Sequence, residues 1–210
     1  MPRDSRKQVF TAAAAEFAER GYEAAGVDRV ASKAGVNKAM IYYHFRSKLG
    51  VYTEVLRDMF LALGTRARTL ADGPGSPADK MDAWIVAIVE EASARPWFPP
   101  IMLREIAAGF PNLDPETIVM MQGVFTGIRD IILDGQRDGS FGDADPLLTH
   151  LTIMPATLTF FIRESTLAKR SKLPPGPFAS PRTHDEFIRH MQQTVRGMLR
   201  HEDTNVIKKD

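Results

Sequence analysis

The sequence contains no cysteine, and this absence removes several kinds of chemistry at once. Among the 210 residues there is no thiol to form a disulfide, to bind zinc as a thiolate or to act as a nucleophile. Long apolar runs are missing too, because no stretch approaches the roughly 18 apolar residues that a membrane-spanning helix needs. The opening MPRDSRKQ is polar, and no apolar run of the signal-peptide kind follows it. These absences predict a cytoplasmic protein with no membrane partner.

The known catalytic and metal-binding signatures are also missing. The chain has no HExxH, GxSxG or GxGxxG motif and no glycine loop that would cradle a phosphate. Of the five histidines, His184 and His190 are six residues apart, whereas two ligands to one metal on a helix suit a spacing of four. The neighbours Glu90 and Glu91 point away from each other on a helix, so they do not form an acid–base pair. We therefore expect no enzyme, no metal site and no cofactor.

Charge is spread unevenly along the chain. Residues 1–68 contain 12 Lys and Arg against 7 Asp and Glu, a net charge of +5, while the remainder contains 15 against 19. The whole chain carries only +1. This asymmetry indicates that the N-terminal part meets a polyanion. The alternative is an ordinary solvated basic face.

The spacing of apolar residues predicts helices almost everywhere and no strand with a period of two. Helix starts are indicated by capping residues, several of them followed by proline, at Asn37, Ser47, Ser76-Pro77, Asp114-Pro115, Asp145-Pro146 and Thr183 with Glu186. Helix ends are indicated by glycine at Gly21, Gly35 and Gly139. Pro155 is expected to kink the helix that contains it. The pattern predicts an all-α protein of about nine helices.

Two short helices joined through Ala34-Gly35-Val36 have the dimensions of a helix-turn-helix, whose second helix enters the DNA major groove. On that helix Ile41 and Phe45 lie four residues apart and are expected to face the interior. The opposite side carries side chains that suit phosphates and base edges, namely Lys38, Ala39, Met40, Tyr43 and His44, with Tyr42 as a further donor. Lys48 adds a charge where the fourth helix begins. Short amphipathic helices with polar aromatics also occur in helical proteins that bind no DNA.

The segments GY, VDRVA, AGVNKA, IYYHF and SK, in this order between Gly21 and Lys48, resemble the signature of the tetracycline-repressor (TetR) family. The resemblance covers roughly residues 6–50 without a gap. Two positions depart from it: Ala25 and Gly26 stand where the family often has threonine or serine, and Met40 stands where a small or hydroxylated residue is common.

The resemblance implies a homodimeric transcription regulator, most often a repressor that an effector releases from a near-palindromic operator. Residues 1–50 would form the helix-turn-helix domain, and residues 51–210 a helical ligand-binding and dimerisation domain. The implied contacts to double-stranded operator DNA are Asn37, Lys38, Ala39, Met40, Tyr42, Tyr43, His44 and Lys48. The rival hypothesis is a helical ligand-binding or adaptor dimer whose DNA-binding head is no longer used.

A regulator of this kind needs an effector pocket, and large apolar residues cluster in and around the proline-broken segment SARPWFPPIMLREIAAGF. The predicted lining is Trp84, Ile88, Trp97, Phe98, Met102, Glu105, Ile106, Met121, Phe125, His150, Met154 and Phe161. Residues of these types are more often plain core than ligand contacts. Together they favour a hydrophobic or aromatic small molecule, oriented by Glu105, His150 or Arg104, although an exposed Arg104 would be ordinary surface.

The two last long helices, at about 145–168 and 184–200, are the predicted dimer contact, because the first is apolar over a wide arc. A path through the centre of the domain would explain that arc equally well. The loop SKLPPGPFASPR between them is a lid, a dimer arm or a connector, and connector is the default.

Overall fold

The computed structural model describes residues 2–169, 174, 176 and 179–200. In this part of the chain the helices are α1 Pro2–Ala24, α2 Val27–Ala34, α3 Lys38–Phe45, α4 Lys48–Asp72, α5 Pro77–Ala94, α6 Phe98–Ala108, α7 Pro115–Asp138, α8 Pro146–Lys169 and α9 His184–Leu199. No strand occurs among the described residues, so the predicted all-α fold is confirmed. Half of the loop SKLPPGPFASPR lies outside them, as do residues 201–210 of the predicted second domain.

Local capping signals set most of the helix starts. The side chain of Asn37 accepts a hydrogen bond from the Ala39 amide at 2.8 Å and so begins α3. Ser47 begins α4 in the same way, and Thr183 forms a capping box with Glu186 at the start of α9. Each such cap stabilises its helix by about 1 kcal/mol. The predicted starts are therefore explained by contacts within one turn of the chain.

The prolines of the segment around α6 have two different roles, since Pro96 lies in the predicted break between α5 and α6 whereas the other two lie within a helix. Pro99 and Pro100 do not break a helix but lie in the first turn of α6. The amides of a first helical turn have no carbonyl partner within the helix, so proline, which lacks an amide proton, is tolerated there. The other internal proline, Pro155, lies within α8, which continues on both sides of it.

The first three helices form a compact unit, here called the head (α1–α3). Val9 and Phe17 of α1 pack with Ile41 and Phe45 of α3, and all four side chains are buried. Helix α4 contacts the head at its N-terminal end and then runs along α7. It therefore joins the head to the remaining helices, here called the body (α5–α9).

A glycine allows α4 and α7 to approach closely. A Cβ atom placed on Gly127 of α7 would lie 2.7 Å from the Cβ of Ala67 on α4. Two small residues thus let the two backbones approach closely, and α4 packs tightly against α7.

The body surrounds a second part of the same hydrophobic core. Trp84 and Ile88 of α5 are buried with Ile128 of α7, Leu158 of α8 and Val195 of α9. Within the described part of the chain, every helix is too short or too polar to span a lipid bilayer.

Candidate DNA interface and effector site

The turn between α2 and α3 is built by Gly35. Its φ of 63° lies in the left-handed region, where glycine carries no steric cost. The amides of Gly35 and Val36 turn back to the carbonyls of Ser32 and Ala31, at 3.2 and 3.1 Å. These bonds end α2 in a glycine cap and leave two residues before α3, which is the geometry of a helix-turn-helix.

Helix α3 divides into a buried face and an exposed face. Ile41 is fully buried and Phe45 is 5% exposed, whereas Tyr42 is 46% and Tyr43 74% exposed. The other residues that the sequence predicts as DNA contacts are exposed at Asn37, Lys38 and Ala39 and partly buried at Met40, His44 and Lys48. The tyrosine rings on an otherwise polar surface are the feature that core packing does not explain.

Two of these side chains have partners within the head. Lys38 Nζ lies 2.8 Å from Asp28 Oδ1, and this hydrogen bond raises the pKa of the Lys38 ammonium. His44 Nε2 lies 2.8 Å from Ser5 Oγ. These contacts hold the two side chains near the exposed face of α3. Asp28 and Ser5 were not predicted as functional, because no local pattern indicates which cation or ring a surface residue will contact.

Lys48 is held by the end of α1. Its ammonium lies 4.5 Å from the centre of the Tyr22 ring and donates to the Glu23 carbonyl at 3.1 Å. A cation over an aromatic face is attracted by the ring quadrupole. The charge at the start of α4 is therefore placed by α1 and not only by its own helix.

The start of α2 differs from the usual family pattern, as the sequence indicates. Gly26 is its N-cap, and no side chain caps this end. The Gly26 amide instead approaches Glu16 Oε1 at 3.5 Å. A carboxylate on α1 therefore accepts from the start of α2, where the family often has a capping hydroxyl group in the turn itself.

Glu16 is a buried anion in the head, with no exposed surface. Arg29 Nε and Lys33 Nζ donate to its carboxylate at 2.5 and 2.8 Å. Burial alone raises the pKa of Glu16, but the hydrogen bonds from Lys33, Arg29 and the Gly26 amide outweigh it and lower the pKa to about 2. The carboxylate therefore ties α2 to α1 and fixes the platform on which α3 rests. A sequence signal existed: Glu16 stands on the apolar stripe of α1.

The predicted effector lining is distributed over three environments. Buried in the core are Trp84, Ile88, Phe98, Met102 and Glu105. Partly buried are Trp97, Met121, Phe125, His150, Met154 and Phe161. Ile106 is 42% exposed. The structure brings Phe125 and His150 together, with ring centres 5.6 Å apart, but Trp97 packs against Phe10 of α1 and Phe161 against His184 of α9.

Three side-chain polar atoms in the described residues are buried without a hydrogen-bond partner: Trp84 Nε1, Glu105 Oε2 and His150 Nδ1. All three belong to the predicted lining. Burial also lowers the pKa of His150 to about 4, so its imidazole is neutral near pH 7. Because buried polar groups are nearly always paired, these atoms are where a polar ligand would find unused hydrogen-bonding capacity.

A surface groove that the sequence did not indicate runs between α1, α4 and α7. Its volume is about 720 Å³, and its walls include Phe10, Leu61 and Met120 with charged residues such as Arg57 and Glu116. None of the predicted lining residues contributes to it.

The predicted dimer helices expose large apolar side chains. On α8, Leu147, Leu148 and Leu151 are 50%, 62% and 53% exposed, and on α9 Met198 is 40% exposed. Three leucines exposed within five residues form an apolar patch on α8, and such patches often mark interaction sites.

Comparisons with known proteins agree with this geometry. The family of bacterial regulatory proteins called tetR matches residues 9–55, which span most of the head and the start of α4. The transcriptional repressor KstR2 of Mycolicibacterium smegmatis is 30% identical over 191 residues, which cover 89% of this chain and 88% of that protein. The transcriptional activator FasR of the same organism is 50% identical over 58 residues, but this match spans only 26% of FasR.

Solved structures extend the likeness to the whole fold. The ketosteroid transcriptional regulator KstR2 of Mycobacterium tuberculosis superposes with a TM-score of 0.71 at 25% identity, covering 94% of this chain and 95% of that one. The fatty acid degradation regulator FadR of Bacillus halodurans shares the fold with a TM-score of 0.70 at 18% identity. With a helix-turn-helix head, a family match over that head and a repressor relative along most of its length, the chain belongs to the TetR family of DNA-binding transcriptional regulators.

Proposed function

We propose that the protein is a homodimeric repressor that binds a near-palindromic operator and leaves it when a small hydrophobic or aromatic effector binds the body. The observation that carries this proposal is the exposed face of α3, where Tyr42 and Tyr43 stand beside Lys38 at the start of the helix. Hydroxyl groups and a cation there suit phosphate oxygens and base edges. The relatives with named functions include repressors, which favours repression over activation.

A dimer would place two α3 helices in successive major grooves, about 34 Å apart along the DNA. The exposed leucines of α8 and Met198 of α9 support a contact between copies through these two helices. Each head would then read one half of the palindrome.

The effector would act by stabilising one orientation of the heads over another. It can do so only if it binds the two conformations with different affinity. Its apolar body would meet residues such as Phe125 and Met102, and its polar group would meet Glu105, His150 or Trp84, whose buried atoms lack partners. The likeness to a ketosteroid regulator favours an apolar effector.

The test is selection from a random double-stranded DNA library at low salt, with recovered sequences read out. We expect the wild-type protein, shown to be a dimer by light scattering, to recover a palindromic motif. A variant with Lys38→Ala and Tyr43→Ala should recover none, whereas Arg137→Ala, which changes an exposed cation on α7 far along the chain from the head, should recover the same motif.

Failure of the folded wild-type dimer to enrich any sequence would overturn the proposal. It would favour the rival hypothesis of a ligand-binding dimer with an unused head. With a motif in hand, candidate effectors are screened by loss of DNA binding.

A further inference from the structure

Two neighbouring side chains of the body, Arg104 and Glu105 on α6, reach the helices that carry the DNA-binding surface. Arg104 contacts α1, and Glu105 contacts α4 close to its DNA-facing start. Both contacts join residues more than fifty positions apart in the chain. Together they connect α6 to α1 of the head and to the first turns of α4, which pack against the head.

Arg104 binds the end of the straight part of α1. Gly21 breaks that helix with φ 75° and ψ 171°, a conformation that is essentially restricted to glycine. Just before the break, the guanidinium donates to the carbonyl of Ala18 at 2.7 Å and approaches those of Phe17 and Glu19 at 3.4 and 3.3 Å. Carbonyl groups at a helix end lack amide donors and carry the negative end of the helix dipole, so a cation is stabilised there.

The glycine and the arginine also fit each other sterically. A Cβ atom on Gly21 would lie 3.2 Å from Cδ of Arg104. The break in α1 therefore provides both the carbonyl groups and the space that the arginine occupies.

Glu105 holds the second point. Its Oε1 accepts from the Tyr52 hydroxyl at 2.6 Å and from Asn112 Nδ2 at 2.9 Å, and its side chain is buried. Burial, followed by the hydrogen bond to Glu105, raises the pKa of Tyr52, so the hydroxyl stays protonated and remains the donor.

The ring of Tyr52 packs against two aromatic rings of the head. Its ring centre lies 4.8 Å from that of Phe17 and 4.9 Å from that of Tyr22, and the Tyr22 ring carries the ammonium of Lys48. An unbroken series of contacts thus runs from Glu105 on α6 to a predicted phosphate contact at the start of α4.

Only one of the two carboxyl oxygens of Glu105 accepts hydrogen bonds. Oε2 is buried and has no hydrogen-bond partner, whereas Oε1 accepts twice. A buried carboxylate with an unpaired oxygen rearranges more easily than a fully hydrogen-bonded one, because it loses fewer hydrogen bonds and can gain a new one.

We propose that Arg104 and Glu105 form a latch that sets the orientation of the head on the body, and that the latched orientation is the one that spaces two heads for a palindromic operator. The latch comprises the Arg104 contacts to α1 and the Glu105–Tyr52 hydrogen bond. This inference rests on the proposed function, and it makes both residues positioning residues that touch no DNA.

The test compares three duplexes with full-length protein: the selected palindrome, a single half-site, and the palindrome with extra base pairs between its halves. Arg104→Ala removes the first contact, and Tyr52→Phe removes the hydroxyl but keeps the ring. Arg104→Lys is the conservative variant, since an ammonium retains one donor group for the carbonyls. Arg137→Ala is the exposed control, and thermal unfolding reports whether each variant is folded.

We expect Arg104→Ala and Tyr52→Phe to weaken binding to the palindrome about tenfold, with half-site binding changed by less than about twofold. The two variants should also discriminate less against the altered spacing, and Arg104→Lys should recover part of the loss. A merely structural role would weaken binding to the palindrome and to the half-site alike, so the difference between the two losses tests the latch.

Several results would overturn the latch. Equal weakening on palindrome and half-site would mean that the substitutions damage the head itself. Unchanged binding to both would mean that the contacts do not set the orientation, and tighter binding to the palindrome would mean that the latched orientation is the wrong one for DNA. If the wild type prefers no duplex at all, the proposed function fails and the latch falls with it.

Discussion

Among the described residues, the head and the body each bury one glutamate, and the two carboxyl groups have very different hydrogen-bond partners. Glu16 in the head is surrounded by donors: Arg29 and Lys33 bind it directly, Arg20 lies 3.4 Å away, and the Gly26 amide approaches it. Glu105 in the body has two donors on one oxygen and none on the other.

This difference indicates that the head keeps one arrangement and that the body is able to rearrange. A saturated buried anion specifies one arrangement of α1 and α2, since any other leaves charges unpaired. The body has three buried polar atoms without partners among its described residues, and all are on its helices α5, α6 and α8. We infer that the head moves as a rigid unit and that rearrangement, when it occurs, takes place in the body.

Replacing Glu16 by glutamine should have the largest effect on stability. The fall in its pKa from 4.5 to about 2 corresponds to an upper limit of roughly 3 kcal/mol, and solvent screening of the half-exposed Arg29 and Lys33 reduces our expectation to about 2 kcal/mol at pH 7. Because the folded pKa is the lower one, this stabilisation is present above pH 4.5 and lost towards pH 2. Urea unfolding at several pH values measures it.

The matched control is Glu19→Gln. Glu19 contacts the same Lys33 but is 56% exposed, so its loss should matter much less. Equal destabilisation by the two variants, or a gap between Glu16→Gln and wild type that does not narrow in acid, would contradict the role assigned to the buried anion.

Replacing His150 by phenylalanine should leave stability nearly unchanged at pH 7 and raise it in acid. Its buried Nδ1 has no partner, so an apolar ring beside Phe125 should keep the free energy of unfolding at pH 7 within about 1 kcal/mol of wild type. Burial lowers the folded pKa to about 4, below the ordinary 6.5, so the unfolded chain binds the proton first as the pH falls. Wild type therefore loses stability from pH 6.5 to about 4, and the variant should gain roughly 1–2 kcal/mol on it there.

Thermal and urea unfolding between pH 7 and pH 4 provide the measurement, with the same substitution at exposed His190 as control. A strongly destabilised His150→Phe protein at pH 7 would show that the imidazole has an essential partner. The contrast between head and body would then be smaller than the structure indicates.

The smallest of these effects is expected for Lys38→Ala. Removing one phosphate contact should weaken operator binding about fivefold, or roughly 1 kcal/mol, and should reduce the dependence of log affinity on log salt by about one. Fluorescence anisotropy with the selected palindrome at several salt concentrations measures both quantities. An unchanged salt dependence would place Lys38 away from the phosphates.

What could be predicted from the sequence is what short-range chemistry decides. Asn37, Ser47 and Thr183 cap their helices with groups two or three residues away, and Gly35 turns the chain because of its own φ. The division of α3 into inner Ile41 and outer Tyr43 follows from helical spacing alone. These features need no knowledge of the rest of the fold.

What could not be predicted depends on which distant surfaces meet. Arg104 is exposed, as ordinary surface would be, yet it bonds to a carbonyl 86 residues earlier. The place of Glu105 in an apolar segment predicts an effector contact, but its hydrogen bond to Tyr52 spans 53 positions. Spacing along one helix says which residues share a face and nothing about the partner that this face will meet.

The most direct measurement is the affinity of the wild-type dimer for its selected palindrome as a function of salt concentration. If the basic head grips phosphates through Lys38, Lys48 and their neighbours, log affinity falls linearly and steeply as log salt rises, because bound counterions are released from the DNA. Affinity that stays flat from low to high salt would contradict the account, since no arrangement of cations on phosphates can be insensitive to salt.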